Sequence, residues 1–336
     1  MDPIRVGLVA DPAAPTAIAR GMTDLSPLEG SGRWDITVVS EPFTTGSEDV
    51  EIAVGRLQNH ARQRSWDLVV GLTELPLHDD KGRHLLVTTD PQRRTAVLSL
   101  PALGGFRMHA RVRGTLRSLV SAMADPDTMN EHSVALPPRR GRWRLLRGMV
   151  LANRPWLLVP GLKSALVAAL ATGAVATINA TVWMLAGSLS WWRLVIATIA
   201  SVTLAVAWLI IDGELWDRPD HDSPRARERS RLYNASTLVT VTVGVLICYC
   251  ALFVVNLVWA YFILDPAVMG RSLQTRVSHA DLFVLAWFVA SAATVGGGIG
   301  SGLETDAAIR AAAYSKREQD RRERLAADRN PDHSGQ

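Results

Sequence analysis

The chain has 336 residues, 36 Lys and Arg against 32 Asp and Glu, a formal charge of +4 and 48% hydrophobic residues. That length carries a prior of about two domains, and so small a charge excess does not by itself point to nucleic acid. The only cysteines, Cys248 and Cys250, rule out a disulfide framework, and residues two apart on a helix face different sides.

From the start, Met1-Asp2-Pro3-Ile4-Arg5 leads into an apolar run of about six residues, too short for a secretory leader, so none is expected. Ile4, Val6 and Leu8 alternate with Arg5, Gly7 and Val9 in the period of a strand that ends at Ala10-Asp11-Pro12. A short helix is expected from Ala14 to about Leu25, and a second strand from Trp34 to Ser40. Val50, Val54, Leu57 and Ala61 then recur at helical spacing. Trp66 to Thr73 has the continuous apolar middle of a strand covered on both faces. Leu85 to Thr88 and Thr95 to Leu100 are further strands, with a hairpin possible between Leu85 and Leu100. Met108, Val112, Leu116, Leu119 and Met123 mark a closing helix with Arg107, Arg111, Arg113 and Arg117 on its other face. Strands alternating with helices predict a three-layer α/β domain with a mostly parallel sheet over residues 1–124, long enough for its own core.

Ligands of such sheets bind beyond the carboxyl ends of the strands. The chain places Asp11, Ser40, Glu41, Thr73, Glu74 and Asp90 at strand ends, so Asp11, Glu41, Glu74 and Asp90 are candidates to converge on a cation or polar ligand. The same acids serve equally as turn and cap residues, as in Asp11-Pro12 and Glu41-Pro42. Asp-Pro-Ala-Ala-Pro after the first strand is neither a dinucleotide fingerprint nor a phosphate loop, and no Gly-x-Ser-x-Gly elbow is present. His60, His78, His84 and His109 lack zinc-site spacing. No cofactor, metal or catalytic residue is therefore expected.

Ala124 to Pro138 is polar, proline-rich and aperiodic, and reads as a linker. Behind it Arg139, Arg140, Arg142, Arg144 and Arg147 surround Trp143, Leu146 and Val150 at helical spacing. A basic helix directly ahead of a span is expected to lie on anionic lipid at the inner membrane surface. Nucleic acid is the lesser alternative, since a juxtamembrane basic cluster already has a physical cause. Residues 125–163 thus read as linker plus juxtamembrane helix.

Ser164 to Leu185, Leu194 to Ile211, Ala235 to Leu264 and Leu282 to Leu303 contain no Asp, Glu, Lys or Arg. At about 1.5 Å per residue each approaches or exceeds a hydrocarbon core of about 30 Å. Four spans are expected, at residues 164–185, 191–211, 235–264 and 281–303, forming an all-α four-helix transmembrane bundle. Lys and Arg are dense before the first span, in 212–234 and after Leu303, and sparse in the two intervening turns. By the positive-inside rule both termini face the cytoplasm of a plasma-membrane protein. Trp183, Trp191, Trp192, Trp259, Tyr261 and Phe262 gather at the expected outer interface. Thr177, Asn179, Thr181, Asn256, Ser291 and Thr294 are the mild polar groups within the spans, suited to hydrogen bonds between helices.

The fourth span ends in Gly296-Gly297-Gly298-Ile299-Gly300-Ser301-Gly302-Leu303-Glu304. Gly296 with Gly300, and Gly298 with Gly302, are small-xxx-small pairs for close helix approach. A hinge or gate ending at Glu304 is the other reading. Residues 304–336 read as a charged cytoplasmic helix with a disordered tail.

The ordered set DLVVGLTELPL (Asp67 to Leu77), AVLSLPALG (Ala96 to Gly104), ANRPWLLVPGL (Ala152 to Leu162) and GSGLETDAAIRAAAY (Gly300 to Tyr314) resembles a family of uncharacterised bacterial integral membrane proteins. Some members carry the label methylene-tetrahydrofolate dehydrogenase. The similar glycine segment of that soluble enzyme belongs to a nucleotide-binding fold, whereas here it closes an apolar helix. The order DLVVGLT then TAVLSL is also faintly similar to the sheet preceding the zinc helix of archaemetzincins, which here would imply an inactive scaffold, because no HExxH follows. Neither resemblance implies a catalytic residue. The sequence is therefore read as a non-enzymatic membrane protein anchoring an α/β module that binds a ligand, a protein partner or a second copy of itself. A small transport or channel component, and an enzyme using the acids at the sheet edge, are the alternatives.

Overall fold

The computed structural model describes residues 3–27, 33–44, 50–78, 83–90, 92, 94–124, 134–217 and 224–300. They fall into two compact units, the first running through Ala152 and the second beginning at Asn153.

In the first unit β1 (Ile4–Ala10), β2 (Trp34–Ser40), β3 (Leu68–Thr73), β4 (Leu77–His78), β5 (His84–Asp90), β6 (Thr95–Ser99) and β7 (Val134–Ala135) form one seven-stranded sheet. Its order is β2-β1-β3-β6-β5-β4, with β7 paired to β5. β2, β1, β3 and β6 run parallel; β5 is antiparallel to β6, and β4 and β7 are antiparallel to β5. The sheet is thus mixed, and the hairpin is the reading that holds between Leu85 and Leu100. The connection from Asp90 to Thr95 is far too short for the crossover a parallel pair needs.

Period two divides the strand residues between two cores. Val6, Leu8 and Ala10 pack with Ile18 and Met22 from α1 (Ala14–Arg20) and its following turn, and with Val112, Leu116 and Val120 of α3 (Met108–Ala124). Val9, Val69 and Val97 face the other way, onto Phe43 and onto Val54 and Leu57 of α2 (Val50–Arg64). That makes three layers. Gly71 of β3 lets the second of them close, since a Cβ there would lie 2.7 Å from both Leu57 and Phe43.

The segment expected to be a free linker is tied to the sheet where it is described. β7 adds to β5 by main-chain pairing, with Ala135 packed against the second core, and Leu136 N donates to His84 O at 2.8 Å. α4 (Pro138–Ala152) then packs inward through Gly141, Leu145, Gly148 and Met149, all buried. Gly148 permits the approach, because a Cβ there would sit 2.1 Å from the Pro101 carbonyl oxygen.

The second unit contains α5 (Leu158–Gly161), α6 (Lys163–Thr177), α7 (Ala180–Ser188), α8 (Trp191–Asp212), α9 (Pro224–Ile263), α10 (Pro266–Leu273) and α11 (His279–Gly300). Three of these helices are long and apolar enough to cross a membrane, over Trp191–Asp212, Ser230–Ile263 and His279–Gly298. α11 packs against α6, α8 and α9. These three helices bear out an apolar helical unit, though not by themselves the four-helix bundle expected from the sequence. The expected first span is interrupted, because Asn179 leaves the helix and caps α7, its Oδ1 accepting from Thr181 N at 2.9 Å. A fourth crossing meets the length and apolarity requirement only as the pair Arg140–Gly161 and Lys163–Thr177, bent by 54°. Trp183, expected in the outer aromatic belt, is 7% exposed and donates its Nε1 to Thr177 O at 2.6 Å, sealing the break from inside. Phe262, also expected in that belt, is 81% exposed.

Candidate functional site

The carboxyl edge of the parallel strands gathers the first set of candidates. β1 lies between β2 and β3, so the chain leaves it in one direction for β2 and returns on the other side for β3. Such a reversal opens a crevice between the two strand ends. Asp11 follows β1 and Thr73 closes β3, with Asp11 N donating to Leu72 O at 3.0 Å.

Asp11 has 0% exposure and accepts from Phe43 N at 3.3 Å and from the Thr44 hydroxyl at 3.4 Å. Thr16 Oγ1 donates to Asp11 O at 2.8 Å and lies 2.8 Å from Ser40 Oγ. Thr73 Oγ1 accepts from Leu75 N at 3.1 Å, and Ser99 Oγ donates to Leu75 O at 2.9 Å, which fixes the loop that presents the buried Glu74. Asp11 and Glu74 therefore come from adjacent strand ends.

Glu41 reaches the same edge but is turned to α2, where its carboxylate lies 3.1 Å from His60 Nε2 and 3.6 Å from Arg64 Nη2. Asp90 does not join them. It pairs with Thr95 at the start of β6, and because β5 runs antiparallel it sits at the opposite end of the sheet. Thr16, Thr44 and Ser99 complete the edge and carried no sequence signal, being single hydroxyls brought in by topology. Among the described residues no group of three or more His, Cys, Asp or Glu is placed to hold a metal ion.

The second set of candidates lies on α4, which carries Arg139, Arg140, Arg142, Trp143, Arg144 and Arg147. Arg140, Trp143, Arg144 and Arg147 follow the i, i+3, i+4, i+7 rule of one helix face, and all four are exposed. Of the apolar stripe expected to face lipid, Trp143 is 74% exposed, whereas Val150 is buried. The loop after β6 meets this face. Gly104 adopts φ +84, and its missing Cβ leaves room for Arg144 Cγ and Arg111 Nη1. Arg147 Cζ stands 3.8 Å from the ring centroid of Phe106. Burial, and next the Arg111 guanidinium beside it, make Arg144 hold its proton less tightly than usual.

In the second unit the glycines of α11 face small residues. A Cβ on Gly296 would meet Thr172 at 3.4 Å, one on Gly297 would meet Ala169 at 2.9 Å, and one on Gly298 would meet Ala205 at 3.7 Å. Gly300 ends α11, while Gly302 and Glu304 lie outside the described residues, as does the expected helix beyond them. A cavity of about 40 Å³ beside Thr294, Gly297 and Gly298 is the size of a few waters. Sequence reasoning named Ser291 but missed its partners in a polar knot joining three helices. Trp287 Nε1 donates to Thr198 Oγ1 at 2.7 Å, and Thr198, Tyr249 and Ser291 hydroxyls lie 3.1–3.2 Å from one another.

No family model, curated protein or solved structure matches this chain.

Proposed function

We propose that the protein is a multi-pass plasma-membrane protein whose four crossings anchor a cytoplasmic α/β module, and that this module binds a small polar ligand carrying a cationic or hydroxyl group. The single observation that carries the binding reading is the reversal of strand order at β1, which lies between β2 and β3, with Asp11 and Glu74 at the adjoining ends of the parallel β1 and β3. Two carboxylates among hydroxyls suit an amine or a polyol. The fourth crossing runs through α6, the apolar member of the bent pair, and the positive-inside pattern of the sequence supports cytoplasmic termini.

Binding to the native state raises the unfolding midpoint. Thermal unfolding of the intact protein in detergent, with polyamines, basic amino acids and simple polyols as probes, tests this. One class should raise the midpoint of the wild type and leave Asp11→Asn/Glu74→Gln unmoved. No shift by any probe, or one that survives both substitutions, would sink the reading.

A second reading, solute transport through the helical unit, is favoured by the break at Asn179, since interrupted helices border binding sites in transporter folds. Solute flux into vesicles holding the purified protein is its test.

A further inference from the structure

The exposed face of α4 does not stand alone. The tight turn at Gly104 brings Arg111 beside Arg144, and Phe106 lies under Arg147; Arg107 follows Phe106 in the chain, and Arg140 and Trp143 share the α4 face of Arg144 and Arg147. Phe106 is 53% exposed, and the arginines of this group are exposed too. Among the described residues none of Arg107, Arg111, Arg140, Arg144 and Arg147 forms an ion pair with a carboxylate. Arg113, two residues beyond Arg111, shows the ordinary alternative: it is held by Asp24 at 2.9 Å.

Keeping five guanidiniums together is unfavourable unless an anionic partner neutralises them. Two large aromatic rings left in water beside them have the same resolution, because Trp and Phe gain by entering a headgroup layer. The chain itself limits the choice of surface. α4 ends at Ala152, and the apolar segment that follows opens at Pro155, so a few residues of backbone tether this face to the start of the membrane part.

We propose that Phe106, Arg107, Arg111, Arg140, Trp143, Arg144 and Arg147 form one docking surface for an anionic lipid bilayer, which fixes the α/β unit against the membrane. The arginines bind lipid phosphates and the rings enter the headgroup layer. Each surface-proximal arginine contributes to anionic-lipid attraction, and the attraction is screened by salt. The proposal rests on the reading of the second unit as embedded in a bilayer.

The full chain, carrying Cys248→Ala and Cys250→Ala, is labelled with a fluorophore at Arg140→Cys. It is placed in nanodiscs of phosphatidylcholine alone or with phosphatidylglycerol, each doped with lipid bearing a headgroup quencher. Anionic nanodiscs should quench the label several-fold more than neutral ones, and high salt should remove the difference. Arg107→Gln/Arg144→Gln/Arg147→Gln should remove it at low salt, while the matching triple Lys variant, which keeps charge, should retain most of it. An equal unfolding midpoint for both triple variants shows that folding is not the cause.

Equal quenching in both lipids, or a difference that persists in the Gln variant, overturns the docking surface alone. So does tight, saturable binding of an oligonucleotide by the detergent-solubilised protein with no lipid dependence, which would assign the face to nucleic acid. Failure of the chain to enter nanodiscs would instead defeat the membrane reading beneath it.

Discussion

Arg113 of α3 grips the turn after α1 with both arms, its Nη1 donating to Asp24 Oδ2 at 3.0 Å and its Nη2 to Gly21 O at 2.9 Å. The hydrogen bond from Arg113 holds the Asp24 carboxyl below its usual range. A carboxyl with a lowered folded value contributes stability above its unfolded value and loses it as pH falls through the folded one. The unfolding midpoint of the wild type should therefore drop more between neutral and acid pH than that of Asp24→Asn, by a small margin because the pair is solvent-screened. Parallel acid profiles for the two proteins would contradict this. At the same scale, two glycines separate backbone propensity from space. Gly114, in the middle of α3, has nothing within 4 Å of a Cβ, so Gly114→Ala should stabilise by about 0.5–1 kcal/mol. At Gly148 the same propensity gain meets the Pro101 backbone at 2.1 Å, and Gly148→Ala should cost a net of about 1–3 kcal/mol. Thermal unfolding of the two variants side by side reads the difference, and equal effects would remove the argument for the inward face of α4.

Among the elements, those with strong periodicity were legible. β1, β2, α2 and α3 lie within a few residues of their expected places, because alternation or helical spacing there coincides with one buried face. β7 was not legible, since two residues join the sheet through main-chain pairing that no side-chain pattern reports. α4 was legible as a helix but not in its orientation. Trp143 and the arginines read as a lipid-facing stripe, while the buried stripe depends on Gly141 and Gly148, whose contribution is the absence of a side chain. Asn179 was noticed as a polar group in an apolar run, yet its power to end a helix lies in the cap it makes to Thr181 N. Asp90 was misplaced because a strand's carboxyl end names an edge of the sheet only when its direction is known. The knot at Thr198 makes the sharpest demand on α8, α9 and α11. Thr198→Val keeps the shape and strands the Trp287 N–H, so it should cost about 0.6–1.7 kcal/mol. Resistance of the solubilised protein to thermal unfolding is the readout, and an unchanged midpoint would show that the knot contributes nothing to helix association.

For the whole molecule, topology depends on whether α6, with the segment bent against it, crosses. α8, α9 and α11 alone would put the two ends of the chain on opposite sides; a fourth crossing returns them to one side. The proposed fourth crossing rests on the arginine pattern of the sequence, which puts the turn between α7 and α8 outside the cell. Ser188 ends α7 and is exposed, and Ser118 is exposed on α3. In a background of Cys248→Ala and Cys250→Ala, single cysteines at these two positions are treated with a membrane-impermeant maleimide on intact cells. Ser188→Cys should be labelled at once and Ser118→Cys only after permeabilisation; labelling of Ser118→Cys from outside, or of Ser188→Cys only after the membrane is opened, would contradict the account.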